Sequence, residues 1–286
     1  MRIAFVILHY LAGDDTIECI KSIMQNISYE NKILIVVDNA STNDSFKQIT
    51  ELYQDNRNII LMSNKNNLGF ARGNNIGYRY AKEIYKAEFI VLLNNDTLIN
   101  QQDFCKIIIE KWEEKNFFVL GPDIVNRDGY HQNPMKYRDW NERKLILFKL
   151  KAQIRLLDLK LFCLGPLLLK KKNKITGVKC ALEGDFTNIR LHGACLIFSP
   201  EYIKRFDGLD DGTFLYMEED LLQMQMGHYD FPMWYTSSLK IYHKDDASTN
   251  MASKNAKERD IHFLKNLIDS IDVCINRIQN MKKEET

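Results

Sequence analysis

The chain lacks the sequence marks of several large classes of protein. Its six cysteines are scattered over 286 residues and form no Cys-x-x-Cys pair, which argues against a zinc ribbon or a disulfide scaffold and fits a reducing cytosol. No stretch reaches the roughly 18 uncharged apolar residues of a membrane-spanning helix. The formal net charge is only +1. The whole molecule is therefore not a binder of polyanions, and we expect no nucleic-acid partner.

Common ligand motifs are absent as well. The glycine-bearing turn at 67–75 is neither a Walker loop nor a dinucleotide fingerprint. The six histidines are scattered, and none belongs to an HExxH motif. The remaining composition, with 45% hydrophobic and 27% charged residues, describes an ordinary globular protein with ample material for a core.

Apolar strands alternate with helical patterns through the first 120 residues. We predict a further strand near 117–120 that ends at a Gly121-Pro122 turn, a return to mixed α/β structure over 191–243, and a long docked terminal helix over 253–281. Alternation of this kind predicts βαβ units and a parallel sheet. The earlier strands are predicted at 2–8, 33–37, 59–62 and 89–93.

Residues 136–179 differ in character, because they hold thirteen Lys or Arg against three Asp or Glu. The pattern favours one or two basic amphipathic helices. One interpretation is that residues 144–172 lie on an anionic membrane surface. The other is that the apolar side packs on the protein core while the lysines remain in solvent.

Polar clusters follow the predicted strands. Asp38 closes the second strand, and Asn94-Asn95-Asp96 follows the strand at 89–93. Ligands of open α/β sheets bind at the carboxyl ends of the strands, so these clusters are expected to share one crevice. Asp96 could hold a divalent metal against a phosphate, whereas the plainer interpretation is an Asn/Asp turn.

Two further positions suit a nucleotide. Asp38 could accept hydrogen bonds from a base or ribose, or could instead cap the turn that follows it. Gly69 lets the backbone approach a ligand closely, and Arg72 at a helix N-terminus could engage a diphosphate. The alternative for Arg72 is a surface arginine at an ordinary helix start.

Three adjacent acids, Glu218, Glu219 and Asp220, precede a late predicted helix. Like charges repel, so at least one pKa should rise if these carboxyls are partly buried. A carboxylate with a raised pKa suits general-base work on a sugar hydroxyl. Alternatively, the acids only favour the dipole of the helix. His243, at another strand end, could complete a metal site with Asp96, although a lone histidine is more often structural.

The motifs at 36–44, 67–77 and 92–97, taken in order, resemble those of the family 2 inverting glycosyltransferases. The likeness is strongest to the bacterial rhamnosyltransferase-like branch that builds capsule, O-antigen and cell-wall polysaccharides. It implies a GT-A fold, with a mixed, mostly parallel sheet flanked by helices. We therefore expect one catalytic domain over 1–252, with a nucleotide-sugar half (1–120), a basic insertion (136–179), an acceptor half (180–252) and a C-terminal helix (253–286).

The resemblance also implies roles for single residues. Asp38 matches a contact to the nucleotide, and Asp96 matches the last acid of a DxD-type motif that binds Mn²⁺ or Mg²⁺. One carboxylate of the acidic run would act as base; the spacing favours Glu219, with Asp220 and Glu218 as alternatives. His243 matches a metal ligand. The remaining predicted contacts to the donor are Asn67, Gly69, Arg72 and Asn95.

The expected activity is metal-dependent, inverting transfer of a hexosyl or rhamnosyl group. The expected donor is a UDP- or dTDP-sugar, and the expected acceptor is a lipid-linked saccharide at the cytoplasmic face of the membrane, where the protein would be peripheral. Two alternatives remain. One is a sugar-1-phosphate nucleotidyltransferase, which would need a glycine-rich basic loop where this chain has residues 9–15. The other is a non-catalytic polysaccharide-assembly protein of the same fold.

Overall fold

The structure is a computed structural model, and it describes residues 1–161, 177–245 and 256–284. The second part of the predicted basic segment, residues 162–176, lies outside the described residues. The strands are Ile3–His9 (β1), Lys32–Asp38 (β2), Ile59–Ser63 (β3), Phe89–Asn94 (β4), Thr97–Leu98 (β5), Val119–Asn126 (β6), Asp185–Phe186 (β7), Cys195–Phe198 (β8) and Met233–His243 (β9). The helices are Gly13–Asn26 (α1), Ser45–Tyr53 (α2), Phe70–Tyr80 (α3), Phe104–Lys115 (α4), Glu142–Leu161 (α5), Pro200–Arg205 (α6), Glu218–His228 (α7) and Ala256–Glu284 (α8). A π-helical turn, Ala81–Tyr85, continues α3.

One mixed sheet organises the described residues, with the strand order β3-β2-β1-β4-β8-β6-β9-β5 and with β7 paired to β9. The first four strands of this order are parallel neighbours. They therefore end at the same edge, where His9 lies in register with Asp38 and Leu8 in register with Asn94. β8 joins β4 in the antiparallel sense. The parallel part of the sheet thus delivers the predicted strand-end residues to one place.

Helices cover both faces of the sheet, which is why β1 and β4 are apolar along their length. Apolar side chains of α1, α2 and α4 pack on one face, and those of α3, α6 and α7 pack on the other. The predicted α/β fold is confirmed. None of the helices in the described parts of the chain is long and apolar enough to cross a bilayer.

The turn predicted at Gly121-Pro122 is wrong, because β6 runs through both residues to Asn126. Pro122 lies opposite Thr236 of β9, and the next residue, Asp123, lies opposite Lys240. This irregularity in β9 comes directly after the proline, which has no N–H to give to a regular ladder. A proline that normally marks a strand end is accommodated inside the strand.

A third apolar cluster joins the two long helices outside the sheet. α5 and α8 pack side by side and onto the start of α7, so the apolar stripe of the terminal helix is docked on the domain. Lys149 of α5 also binds Asp272 of α8, with 2.6 Å between Nζ and Oδ1. The basic helix therefore stands beside the acidic start of α7.

Candidate active site

The turn after β4 presents Asp96. The hydroxyl of Thr97 donates to the Asn94 carbonyl at 2.7 Å, and the Asn95 amide donates to the hydroxyl of Thr16 in α1 at 3.0 Å. The Asp96 side chain is buried, and its Oδ1 lies 3.3 Å from Nε2 of His243. These two residues meet because Thr97 pairs with His243 in the antiparallel β5–β9 ladder. The two predicted metal ligands are thus adjacent, whereas the Asn95 amide is engaged with α1.

The ring of His243 is held from its other side. Its Nδ1 lies 2.7 Å from Oε1 of Gln132, and the amide nitrogen of Gln132 donates to Asp245 at 2.8 Å. Because an amide oxygen only accepts, Nδ1 of His243 carries the proton of this bond. Nε2 is then the ring nitrogen on the side of Asp96, and the bond at Nδ1 fixes the ring as it does in an oriented ligand histidine.

Asp38 and His9 lie side by side at the ends of β2 and β1. The Asp38 carboxylate accepts the backbone N–H of Ser41 at 3.1 Å, so it does bind the turn that follows it. His9 is buried between the hydroxyls of Thr16 and Ser45, at 2.7 and 2.8 Å. Burial lowers the pKa of His9 to about 4, although Asp38 opposes that shift. His9 is therefore neutral near pH 7 and connects α1 to α2 beside Asp38 through these two hydroxyls. No sequence pattern indicated this role.

The turn before α3 is built around Asn39. The Asn39 side chain donates to Oδ1 of Asn67 at 2.9 Å and to the Gly69 carbonyl at 3.1 Å. Gly69 has φ +81°, and a Cβ there would stand 2.1 Å from the carbonyl oxygen of Phe214. Glycine is required at this close approach. Arg72 is exposed and donates from Nε to the Asp211 carbonyl at 2.7 Å, so its contact with a diphosphate stays a prediction.

The three acids of α7 occupy three different environments. Asp220 is buried and accepts hydrogen bonds from Arg190 at 2.7 Å and from the Trp140 indole at 2.6 Å. Glu218 is buried against the hydroxyl of Thr213, at 3.0 Å. Burial and the charge of Glu219 raise the pKa of Glu218 to about 7.

Glu219 is the acid of α7 that keeps some exposure to solvent. Its Oε1 accepts the backbone N–H of Gly193 at 3.2 Å, and burial of the carboxyl raises the pKa of Glu219. Asp220 is neutralised by an arginine, and Glu218 is enclosed. Among the three acids, Glu219 therefore combines a raised pKa with a partly exposed position, features that suit a base.

His192 joins the two ends of this site. It precedes β8, and no sequence signal singled it out for the site. The backbone N–H of Ala194 donates to Nδ1 of His192 at 3.1 Å, so Nε2 carries the proton. Its ring lies 5.6 Å from that of His243, and burial lowers its pKa to about 3. His192 is thus a neutral side chain with an N–H at Nε2. It lies beside His243 of the Asp96–His243 pair and directly precedes Gly193, which contacts Glu219.

The family model described as Glycosyl transferase family 2 matches residues 4–172. The chain belongs to this family. The match covers the strand-end residues at Asp38 and Asp96 and the turn at Gly69.

Two relatives with curated names are also glycosyltransferases. The chain is 26% identical over 219 residues to the low-salt glycan biosynthesis hexosyltransferase Agl10 of Haloferax volcanii, covering 76% of this chain and 59% of that protein. It is 27% identical over 128 residues to the glycosyltransferase GlyG of Streptococcus pneumoniae, covering 44% of this chain and 40% of that protein. The chain therefore spans little more than half of one relative and less than half of the other.

Solved structures share the fold. TarS 1–349 of S. aureus in complex with UDP-GlcNAc superposes with a TM-score of 0.55 at 15% identity, over 94% of this chain and 65% of that one. GalNAc-T7 with UDP, GalNAc and Mn²⁺ gives a TM-score of 0.57 at 12% identity, over 85% and 44%. At identities this low, the structural likeness supports the GT-A fold of this chain and nothing about its substrates.

The ligand atoms that Asp96 and His243 offer suit a divalent ion that also binds a substrate. A carboxylate oxygen and an imidazole nitrogen are ordinary ligands of Mn²⁺. Within the described parts of the chain, no group of three or more His, Cys, Asp or Glu residues is arranged to hold a metal. Ions of this kind often take one or two protein ligands and fill their remaining positions with phosphate oxygens and water. The residues present therefore fit an ion that arrives with a diphosphate.

Replacing Asp220 with alanine is expected to lower the free energy of unfolding by about 3–5 kcal/mol, because it leaves the buried guanidinium of Arg190 without its carboxylate. Urea denaturation measures the change. The matched control is Asp207→Ala, which removes a carboxylate that is 71% exposed and bound to Lys82; such a surface pair contributes about 1 kcal/mol or less. Equal unfolding midpoints for the two variants would show that Asp220 has no such structural role.

Proposed function

We propose that the protein transfers a sugar from a nucleoside-diphosphate sugar to a hydroxyl group of a saccharide, with inversion at the anomeric carbon. One observation carries this proposal. Asp96 contacts His243, the ring of His243 lies 5.6 Å from the ring of His192, and Gly193, the residue after His192, contacts Glu219. This arrangement supports a site for a charged diphosphate at the Asp96 end and a base at the Glu219 end, where the carboxyl has a raised pKa, as a displacement between donor and acceptor requires.

The donor would lie along the carboxyl ends of the parallel strands. Asp38 would bind the base or ribose, and the turn at Asn67 and Gly69, with Arg72, would face the diphosphate. Asp96 and His243 would hold a Mn²⁺ or Mg²⁺ ion. Structural neighbours with UDP and with UDP-GlcNAc bound support a nucleotide-sugar donor for this fold. When bound, the ion would offset the negative charge that collects on the departing diphosphate.

Glu219 would take the proton from the acceptor hydroxyl. The acceptor oxygen then forms a bond to the anomeric carbon while the bond from that carbon to the diphosphate oxygen breaks. Attack from the face opposite the leaving group inverts the configuration. The bond from the Gly193 N–H to Glu219 fixes one carboxylate oxygen, which leaves the other to meet the acceptor.

The acceptor is proposed to be a lipid-linked saccharide at the cytoplasmic face of the membrane, and the transferred group a hexose or 6-deoxyhexose such as rhamnose. The naming of one relative as a hexosyltransferase of glycan biosynthesis supports this class. Surface polysaccharide synthesis, including that of capsule, is the setting in which such a transfer would take place.

Nucleotide-sugar binding is expected to raise the melting temperature. At a hundred times Kd, a ligand adds about 2.7 kcal/mol of stability, which corresponds to about 5–10 °C for a domain of this size. A screen of UDP- and dTDP-sugars, each with and without Mn²⁺, measures this shift, and release of free UDP or dTDP reports turnover. If no nucleotide sugar shifts the melting temperature, a non-catalytic assembly protein is favoured. Formation of a nucleotide sugar from a nucleoside triphosphate and a sugar 1-phosphate would favour a nucleotidyltransferase.

A further inference from the structure

Helix α5 is apolar on two opposite sides. Its inner side packs on α8 and α7 through Leu145, Phe148, Ala152, Leu156 and Leu159. Its other side forms what we call the outer ridge, six large apolar side chains that are each between 50% and 67% exposed. They are Ile146, Leu147, Leu150, Ile154, Leu157 and Leu161.

The two apolar sides of α5 bear on the two alternatives that the sequence left open for this segment. Membrane contact and packing on the core stood as alternatives for this segment, but α5 has one apolar side for the core and a second that the core does not cover. The described residues expose sixteen large hydrophobic side chains, and six of them belong to this one helix. An apolar surface concentrated in this way marks an interaction site more often than chance exposure.

Charge accompanies the outer ridge. Five basic residues of α5 are exposed, whereas its two acids, Glu142 and Asp158, are partly buried. At about 100° per residue, Lys144, Lys151 and Arg155 fall along one flank of the ridge. The full set of exposed bases is Arg143, Lys144, Lys151, Arg155 and Lys160. An apolar stripe bordered by cations is complementary to the surface of an anionic bilayer.

We propose that the outer ridge of α5 docks on an anionic lipid bilayer, with the helix lying in the plane of the membrane. The six apolar side chains enter the boundary between headgroups and acyl chains, and the flanking cations meet the headgroups. The helix is about 30 Å long, which gives an extended line of contact. A second copy of the chain paired in the antiparallel sense is a poorer occupant, since that pairing would bring the two basic flanks together.

Docking of this kind would bring the acceptor end of the crevice close to the membrane. Trp140, just before α5, donates its indole N–H to Asp220, and Asp220 is the neighbour of Glu219. Only this consequence rests on the proposed function. Adsorption to lipid does not depend on sugar transfer, so the two can fail separately.

Sedimentation of the full chain with vesicles tests the proposal. The vesicles are phosphatidylcholine alone, or phosphatidylcholine mixed with phosphatidylglycerol. We expect binding to the mixed vesicles and at least a roughly tenfold loss of partitioning for Ile154→Ser combined with Leu157→Ser. The matched control is Leu52→Ser combined with Ile84→Ser, two positions that are 59% and 66% exposed elsewhere on the surface; it should bind as the unaltered chain does.

The charge component has its own variant. Lys151→Gln combined with Arg155→Gln should weaken binding to the mixed vesicles severalfold, and added salt should weaken the unaltered chain in the same direction. Thermal unfolding of each variant establishes that it is folded. The midpoint should change little, because exposed substitutions of this kind have small effects on stability.

Three results would overturn the proposal. The first is no sedimentation of the full chain with phosphatidylglycerol vesicles. The second is equal loss of binding in the ridge variant and in its matched control. The third is a dimer in solution that the ridge variant dissociates without any change in vesicle binding, which would assign the ridge to self-association.

Discussion

Replacing Glu219 with glutamine is expected to lower kcat for sugar transfer by about a thousandfold, within the range that a general base contributes. Glutamine keeps an oxygen that can accept the Gly193 N–H, so the local structure is preserved and only the proton acceptor is lost. Binding of UDP, measured by calorimetry, should stay within about twofold, because the proposed nucleotide site is at the other end of the crevice. The rate is measured as release of UDP or dTDP at saturating donor.

Glu218 provides the matched control for this prediction. Glu218→Gln keeps an oxygen for the Thr213 hydroxyl and is expected to leave transfer at neutral pH within a few fold of the unaltered enzyme. Loss of transfer in Glu218→Gln, together with activity in Glu219→Gln, would move the role of base to Glu218.

The pH profile gives a second readout of the same pair. Burial raises the pKa of Glu219, so the base becomes protonated, and kcat/KM falls, as the pH drops through a value above the ordinary glutamate pKa of about 4.3. Burial and the charge of Asp220 raise the pKa of Glu219, whereas Glu218, whose own pKa is raised to about 7, is largely uncharged in the acid range. Glu218→Gln therefore removes little charge there and should leave the acid limb near its place.

Replacing Asp96 with asparagine is expected to reduce transfer by about a thousandfold through loss of the site for the diphosphate and its cation. The more specific readout is binding. In the unaltered protein, Mn²⁺ should strengthen UDP affinity, and in Asp96→Asn that strengthening should disappear while the weak metal-free affinity remains. Calorimetry with and without Mn²⁺ measures both quantities.

Asp207→Asn serves as the control for Asp96, because its carboxylate is exposed and binds Lys82. It should leave both the transfer rate and the effect of Mn²⁺ unchanged. If Asp96→Asn kept a Mn²⁺-dependent gain in UDP affinity, the metal site would have to lie elsewhere. If no variant and no condition showed a Mn²⁺ effect, the diphosphate would be bound without a cation.

The sequence predicted the floor of the crevice well because that floor follows from local pattern. A run of apolar residues that ends in a polar one marks the carboxyl end of a buried strand, and parallel neighbours place such ends at one edge. Asp38 and Asp96 were found in this way. The residues alone left the meeting of Asp96 with His243 as one possibility beside a structural histidine, since it depends on a ladder between β5 and β9, strands far apart in the sequence.

The environments of the three acids could not be read from the chain. Successive side chains on a helix point about 100° apart, so adjacent residues with the same chemistry face different surroundings. Asp220 meets Arg190 and Trp140, which lie 30 and 80 positions away. No local signal links these residues. The same limit explains α5, where a sequence pattern shows apolar residues but not which of them another helix will cover.

The close approach of Gly69 to Phe214 bears on how donor specificity could be re-engineered. The N–H of Phe70 donates to the Phe214 carbonyl at 2.8 Å, so a backbone hydrogen bond connects the turn at Gly69 to the loop that leads to Glu218. A chimera that exchanged only the first 120 residues with a relative would replace the turn at Gly69 and keep the loop at Phe214. An exchange of the first 120 residues should therefore also include residues 211–217, although this loop is distant from them in the chain.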